Sequence, residues 1–179
     1  MTHTIQVSSL SHFLFANPRS ASFWLVVRLY VGWEWFSAGL DKVLDPEWFG
    51  TGAGASLQGF VQGALAKTGG AHPAVQSWYA TFLQSTVLSQ LTAWSNLVAV
   101  GELLVGIALI LGLLTGVAAF FGLFMNLNFL LAGTTSINPQ LFVLALGLVL
   151  ARRVAGYIGA DYYARSILRR LFYRRELLR

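Results

Sequence analysis

The sequence predicts an all-α protein: an integral membrane four-helix bundle with an extracytoplasmic helical insertion between helices 1 and 2. Three observations lead there. The composition is 56% hydrophobic and 11% charged with a mean hydropathy of +0.63, too apolar and too charge-poor for an ordinary soluble domain. Apolar runs approaching the ~20 residues that cross a bilayer recur along the chain. Finally, Arg152, Arg153, Arg165, Arg169, Arg170, Arg174, Arg175 and Arg179 follow the last apolar run, where a positive-inside signal belongs.

Composition also excludes chemistry. A net charge of +5 gathered beside the membrane argues for a lipid bilayer as partner and no nucleic acid. Cysteine is absent, which excludes disulfides, a Cys-ligated iron-sulfur cluster, covalent c-type haem and thiol redox chemistry within this chain. His3, His12 and His72 lie outside the apolar spans, so a bis-histidine haem buried between helices is not expected, nor is a metal site.

Residues 1–22 read as a cytoplasmic N-terminal segment. They contain one arginine, Arg19, no small-residue cleavage motif, and lead into a run longer than a signal core, so no cleaved signal peptide is expected. Within them SLSHFLFAN, from Ser9 to Asn17, reads either as a short interfacial helix stopped at Asn17-Pro18 or as a frayed terminus.

A membrane domain is expected over 23–154, with spans at about 23–44, 96–114, 117–132 and 139–154. The first, FWLVVRLYVGWEWFSAGLDKVL, carries Arg28, Glu34, Asp41 and Lys42, and charge at membrane depth marks a pocket, a polar pathway or a pairing network. Seven residues apart, Glu34 and Asp41 fall within about 20° of each other on one helical stripe, flanked by Tyr30, Ser37 and Ala38. Arg28 lies off that stripe near the other end, where it reaches headgroups or another helix.

The insertion, 45–95, is divided by Asp45-Pro46, Thr51-Gly52, Gly69-Gly70 and His72-Pro73. Two amphipathic helices fit between these breakers, one with a stripe of Leu57, Phe60, Val61, Ala64 and Leu65, the other with Val75, Trp78, Tyr79, Phe82, Leu88 and Leu91. They lie on the membrane or form a lid over the first helix's polar stripe. Ser95 is expected to cap the second span, which carries Glu102; Thr115-Gly116 is the expected turn into the third, which carries Asn126 and Asn128. The glycines of this hairpin are expected to permit close helix contact. Pro139 opens the fourth span from a first-turn position, and 155–179 forms a basic cytoplasmic tail.

Four crossings place both termini in the cytoplasm. The first span then runs outward, with Glu34 about 15 Å and Asp41 about 5 Å from its outer end, while Glu102 lies about 10 Å into the second. Asn126 and Asn128 reach the same half, so polar residues of three helices converge on a pocket that opens outward. A carboxyl group in a low-dielectric site can take up and release protons near neutrality, which makes Glu34, Asp41 and Glu102 the candidate catalytic groups. Quinone reduction requires that chemistry, with donors for the headgroup carbonyls from Tyr30, Trp33, Trp35, Asn126 or Asn128. Lys42 is a candidate for attracting an anion. Glu34 and Glu102, the expected companions, also fit the simpler role of interhelical hydrogen-bonding struts.

Arg28, Gly32, Gly39 and Lys42 on the first helix, followed by GELLVGIALILGLLTG, resemble the DoxX/DoxD family of four-helix membrane proteins. WEWFSAGLDKVLDPEW, GALAKTGGAHPAVQSWY and FMNLNFLLAGTTSINP resemble its DoxD-like branch. That resemblance implies a prokaryotic plasma-membrane subunit of thiosulfate:quinone oxidoreductase, in which thiosulfate becomes tetrathionate and electrons enter the quinone pool. Quinone would be the co-substrate, and the partner a second redox subunit or further copies of the chain. Two other classes stay open: a non-catalytic scaffold that docks a redox enzyme, and a transporter of small solutes or lipids.

Overall fold

The computed structural model describes residues 9–164. Its regular elements are helical: α1 (Ser9–Ala16), α2 (Ala21–Leu44), α3 (Ala55–Leu65), α4 (Ser77–Phe82), α5 (Leu91–Leu111), α6 (Thr115–Leu131) and α7 (Asn138–Leu150), with no strand among the described residues. The short α1 ends where Asn17-Pro18 predicts. Asn17 accepts a hydrogen bond from the Arg19 N–H at 3.0 Å, and Trp24 Nε1 ties the start of α2 back to the Leu14 carbonyl at 2.7 Å.

The long helices pack in a closed cycle: α2 runs along α5, α5 against α6, α6 against α7, and α7 back against α2. Between them Trp24, Val27, Val31, Trp35, Val105, Leu109, Ala119, Leu141 and Leu148 form one buried core. The α2–α5 seam is nearly backbone on backbone. A Cβ at Gly39 would overlap the Leu103 backbone, and one at Gly106 would overlap the backbone of Phe36. These glycines permit a close approach.

A second core lies under α3 and α4, made of Leu57, Val61, Ala64, Val75, Tyr79, Leu83, Val87 and Ala132. The expected α3 stripe is thus the buried one. The second insertion helix differs from expectation: α4 passes through a π turn (Leu83–Val87) and a 3-10 turn (Leu88–Gln90) directly into α5. The whole run, Ser77–Leu111, is 35 residues long, and its most apolar 18-residue stretch has a mean hydropathy of 1.9. No Gly or Pro falls between Ser77 and Val100, so irregular hydrogen bonding replaces a loop. Trp78, placed on the buried stripe by its spacing, is 61% exposed. Ser95 does not cap a helix; it lies inside α5, where its Oγ donates to the Trp48 carbonyl at 2.6 Å.

By length and composition Ser77–Leu111 is the described helix able to cross a membrane, and α6 and α7 are shorter apolar helices. The turn between α5 and α6 sits earlier than Thr115-Gly116. Gly112 (φ 67°) caps α5, Leu114 (φ 49°) precedes α6, and Thr115 already begins it. The left-handed Leu114 costs about 1–2 kcal/mol. Asp161 offsets this, since its carboxylate accepts from Leu114 N at 2.7 Å and Thr115 N at 2.9 Å, as an N-terminal helix cap does.

Arg28 is the other correction. It does not reach a headgroup surface but is 2% exposed, donating from Nη1 to the Ala155 carbonyl at 3.3 Å and from Nη2 to the Ile158 carbonyl at 2.7 Å. The segment after α7 therefore folds back over α2. The rest of the expected basic tail, 165–179, lies outside the described residues, as do 1–8.

Replacing Gly106 with Leu is expected to cost about 3 kcal/mol or more, because the added side chain must push α2 and α5 away from each other. Gly63→Ala, in open space within α3, should instead stabilise by about 0.5–1 kcal/mol. Thermal unfolding of the purified variants checks both signs.

Candidate functional site

The polar stripe of α2 survives folding as one wall of a cavity. Glu34, Ser37, Ala38, Asp41 and Lys42 line it together with Trp35, and Glu102 of α5 faces them. Trp48 and Phe60 come from the segment after α2, Phe129 from α6, and Thr134, Ser136, Ile137, Asn138 and Leu141 from the α6–α7 loop and the start of α7. The volume of this open cleft is ≈ 440 Å³, within the range of small-molecule sites.

Its central interaction is an ion pair. Lys42 Nζ lies 2.7 Å from Glu102 Oε2, and Glu102 is 1% exposed. The ammonium also approaches the Ala38 carbonyl at 3.5 Å and stands 5.2 Å from the centre of the Trp48 ring, close enough for a cation–π contact. Trp48 is held in turn through the Ser95 bond to its carbonyl. The companion expected for Glu102, Glu34, lines the same cavity, but the group that neutralises Glu102 is the lysine. Helical periodicity could not reveal this, because Lys42 and Glu102 are on different helices and meet only through the glycine seam.

The apolar wall is aromatic. Trp35 and Phe129 are stacked with centroids 6.3 Å apart, and Phe60 meets Phe129 edge-on at 6.0 Å. On the loop side Asn126 Nδ2 donates to Asn138 Oδ1 at 3.1 Å, and Asn138 Nδ2 donates to the Thr134 carbonyl at 3.2 Å. Asn126 is fully buried, and its Oδ1 has no hydrogen-bond partner among the described residues.

Of the residues singled out by sequence, Glu34, Trp35, Asp41, Lys42 and Glu102 come together in this cavity. Asn126 stands behind its wall, acting on it through Asn138. Asn128 sits apart, accepting from the Tyr79 hydroxyl at its carbonyl (3.0 Å) and Oδ1 (3.1 Å) while its Nδ2 donates to the Phe124 carbonyl. Tyr30 and Trp33 face outward, 41% and 60% exposed. Trp33 and Trp35 are two positions apart, about 200° on a helix, so only one of them can turn toward the neighbouring helices. Trp48, Phe60, Phe129 and Asn138 are cavity residues that sequence reasoning did not select. Phe60 carried a signal, as a member of the α3 stripe. Among the described residues no group of three or more His, Asp or Glu gathers to hold a metal ion.

The family model described as the TQO small subunit DoxD matches residues 23–170. The chain belongs to the DoxD family. The match takes in every residue that lines the cavity. No curated protein matches the chain, and no solved structure matches it. The DoxD assignment therefore stands on the family model.

Lys42→Met leaves the Glu102 carboxylate buried without its partner and is expected to cost about 3 kcal/mol. Adding Glu102→Leu should return stability to within about 1 kcal/mol of the parent, because a buried ion pair contributes little net stability over apolar replacements. Unfolding midpoints of the parent, single and double variants decide this.

Proposed function

We propose that this DoxD-family chain is the membrane subunit of a quinone-linked oxidoreductase, most specifically a thiosulfate dehydrogenase that uses quinone. The observation that carries this reading is the cavity itself: a buried carboxyl–ammonium pair and two further carboxyl groups opposite a stacked aromatic wall. A quinone headgroup is a flat ring with two carbonyl acceptors, and its reduction takes two electrons and two protons. The aromatic wall suits the ring. Glu34, Asp41 and Glu102 are the groups able to hold and pass protons beside it, with Lys42 paired to Glu102. The electrons come from a second redox subunit, a role compatible with the family's description as a small subunit.

In the same reading α2, the apolar end of the Ser77–Leu111 run, α6 and α7 cross a prokaryotic plasma membrane, with both termini cytoplasmic. What supports it is the apolar exterior. Phe23, Val26 and Leu29 of α2, Leu97, Leu104 and Leu111 of α5, Phe120, Phe121 and Phe124 of α6, and Val143, Leu146 and Leu150 of α7 are all exposed. Water would meet these faces at a cost; acyl chains would not. The segment containing α3 then lies outside, and the cavity opens on that side.

Two measurements test the proposal. Thiosulfate-dependent reduction of a short-chain quinone by membranes is expected to fall about a hundredfold or more in Glu34→Gln and Glu102→Gln, at normal abundance. An unchanged rate in the double variant overturns the assignment. Because the chain has no cysteine, single-cysteine variants report topology directly. Gly69→Cys should react with an impermeant maleimide in intact cells, and Tyr163→Cys only after permeabilisation.

A further inference from the structure

We infer that the cavity selects an uncharged ring and turns away divalent oxoanions, so that an anionic sulfur compound does not enter the quinone site. This rests on the reading of the cavity given above and names what it can and cannot take. Three carboxyl groups, Glu34, Asp41 and Glu102, and one ammonium, Lys42, line it, so its formal balance is two negative charges. Lys42, the residue that would attract an anion, is committed. Its ammonium lies 2.7 Å from Glu102 and stands over the Trp48 ring. The pair has no net charge whether the proton sits on nitrogen or oxygen. Glu34 and Asp41 then set the sign of the cavity.

The other groups near the cavity do little for an anion. Lys67 is outside the lining, with its Nζ donating to the Gly133 carbonyl at 2.8 Å. The N-terminus of α7 opens at Asn138 on the cavity wall and favours negative charge, but by only about half a unit charge. Pro139 also removes one of its N–H donors. The aromatic part of the lining offers an anion no hydrogen-bond donor in exchange for its water. A dianion entering this space meets two like charges and one weak dipole. A neutral ring meets an apolar lining that includes Trp35, Phe60 and Phe129, with carboxyl groups on the polar side.

Charge of one sign focused in a low-dielectric cleft changes the local concentration of a small ion by about tenfold or more. The test uses the purified full-length protein and decylubiquinone, followed by the saturable component of tryptophan quenching. Thiosulfate and sulfate are titrated at constant ionic strength. In the parent, millimolar thiosulfate should leave the apparent Kd within about twofold of its value in an uncompeted sample, given the repulsion. In Glu34→Gln combined with Asp41→Asn, thiosulfate should become a competitor and raise the apparent Kd about tenfold. Competition in the parent overturns the inference and leaves the quinone assignment standing. Absence of competition in the neutralised variant also overturns it, because exclusion would then not be electrostatic. A parent that binds no decylubiquinone at all overturns both the inference and the assignment beneath it.

Discussion

The near-contact of α2 and α5 is the constraint on which the rest depends. Gly39 lies against the Leu103 backbone and Gly106 against that of Phe36, so the helices meet without side chains between them. Only at that spacing does Lys42, on the last turn of α2, come within hydrogen-bond distance of Glu102 on α5. Helices held a side chain apart would leave a buried carboxylate to be satisfied in another way. The seam and the ion pair are thus one feature: close backbones make the pair possible, and the pair makes the buried glutamate tolerable.

Around that seam the other elements act as walls. Trp48 is pinned by Ser95 from within the continuous Ser77–Leu111 run, and α3 brings Phe60 against Phe129. The insertion between α2 and α5 therefore builds the cavity and is also a packed unit with its own core. At the opposite end Arg28 and Asp161 fasten the segment after α7 to α2 and to the start of α6. The two ends solve the same physical problem differently. One neutralises a buried carboxyl group with an ammonium, the other holds the two terminal nitrogens of a buried guanidinium on backbone carbonyls beside a helix cap, with Nε left without a partner among the described residues.

The DoxD assignment gives this arrangement a context, and the electrostatics of the cavity give it a direction. The proposed thiosulfate:quinone reaction would join a dianionic donor to a neutral lipophilic acceptor, two ligands of opposite character. A site with an aromatic wall, a neutralised lysine and two further carboxyl groups is matched to the neutral one. On that proposal the two substrates do not compete for one space.

Much of this was legible in the chain before folding. Apolar composition and helical period determined an all-helical protein, the polar stripe of α2, the buried face of α3, the stop at Asn17-Pro18 and the helix start at Pro139, because each follows from local pattern alone. Period also contained the distinction between Trp33 and Trp35. Tertiary structure decided the rest. The partner of Glu102 is sixty positions away at Lys42, the cap of α6 is Asp161, and the cavity walls come from Trp48, Phe60, Phe129 and Asn138. These are contacts between elements distant in sequence, and spacing along one helix carries no information about which residue another helix brings opposite it.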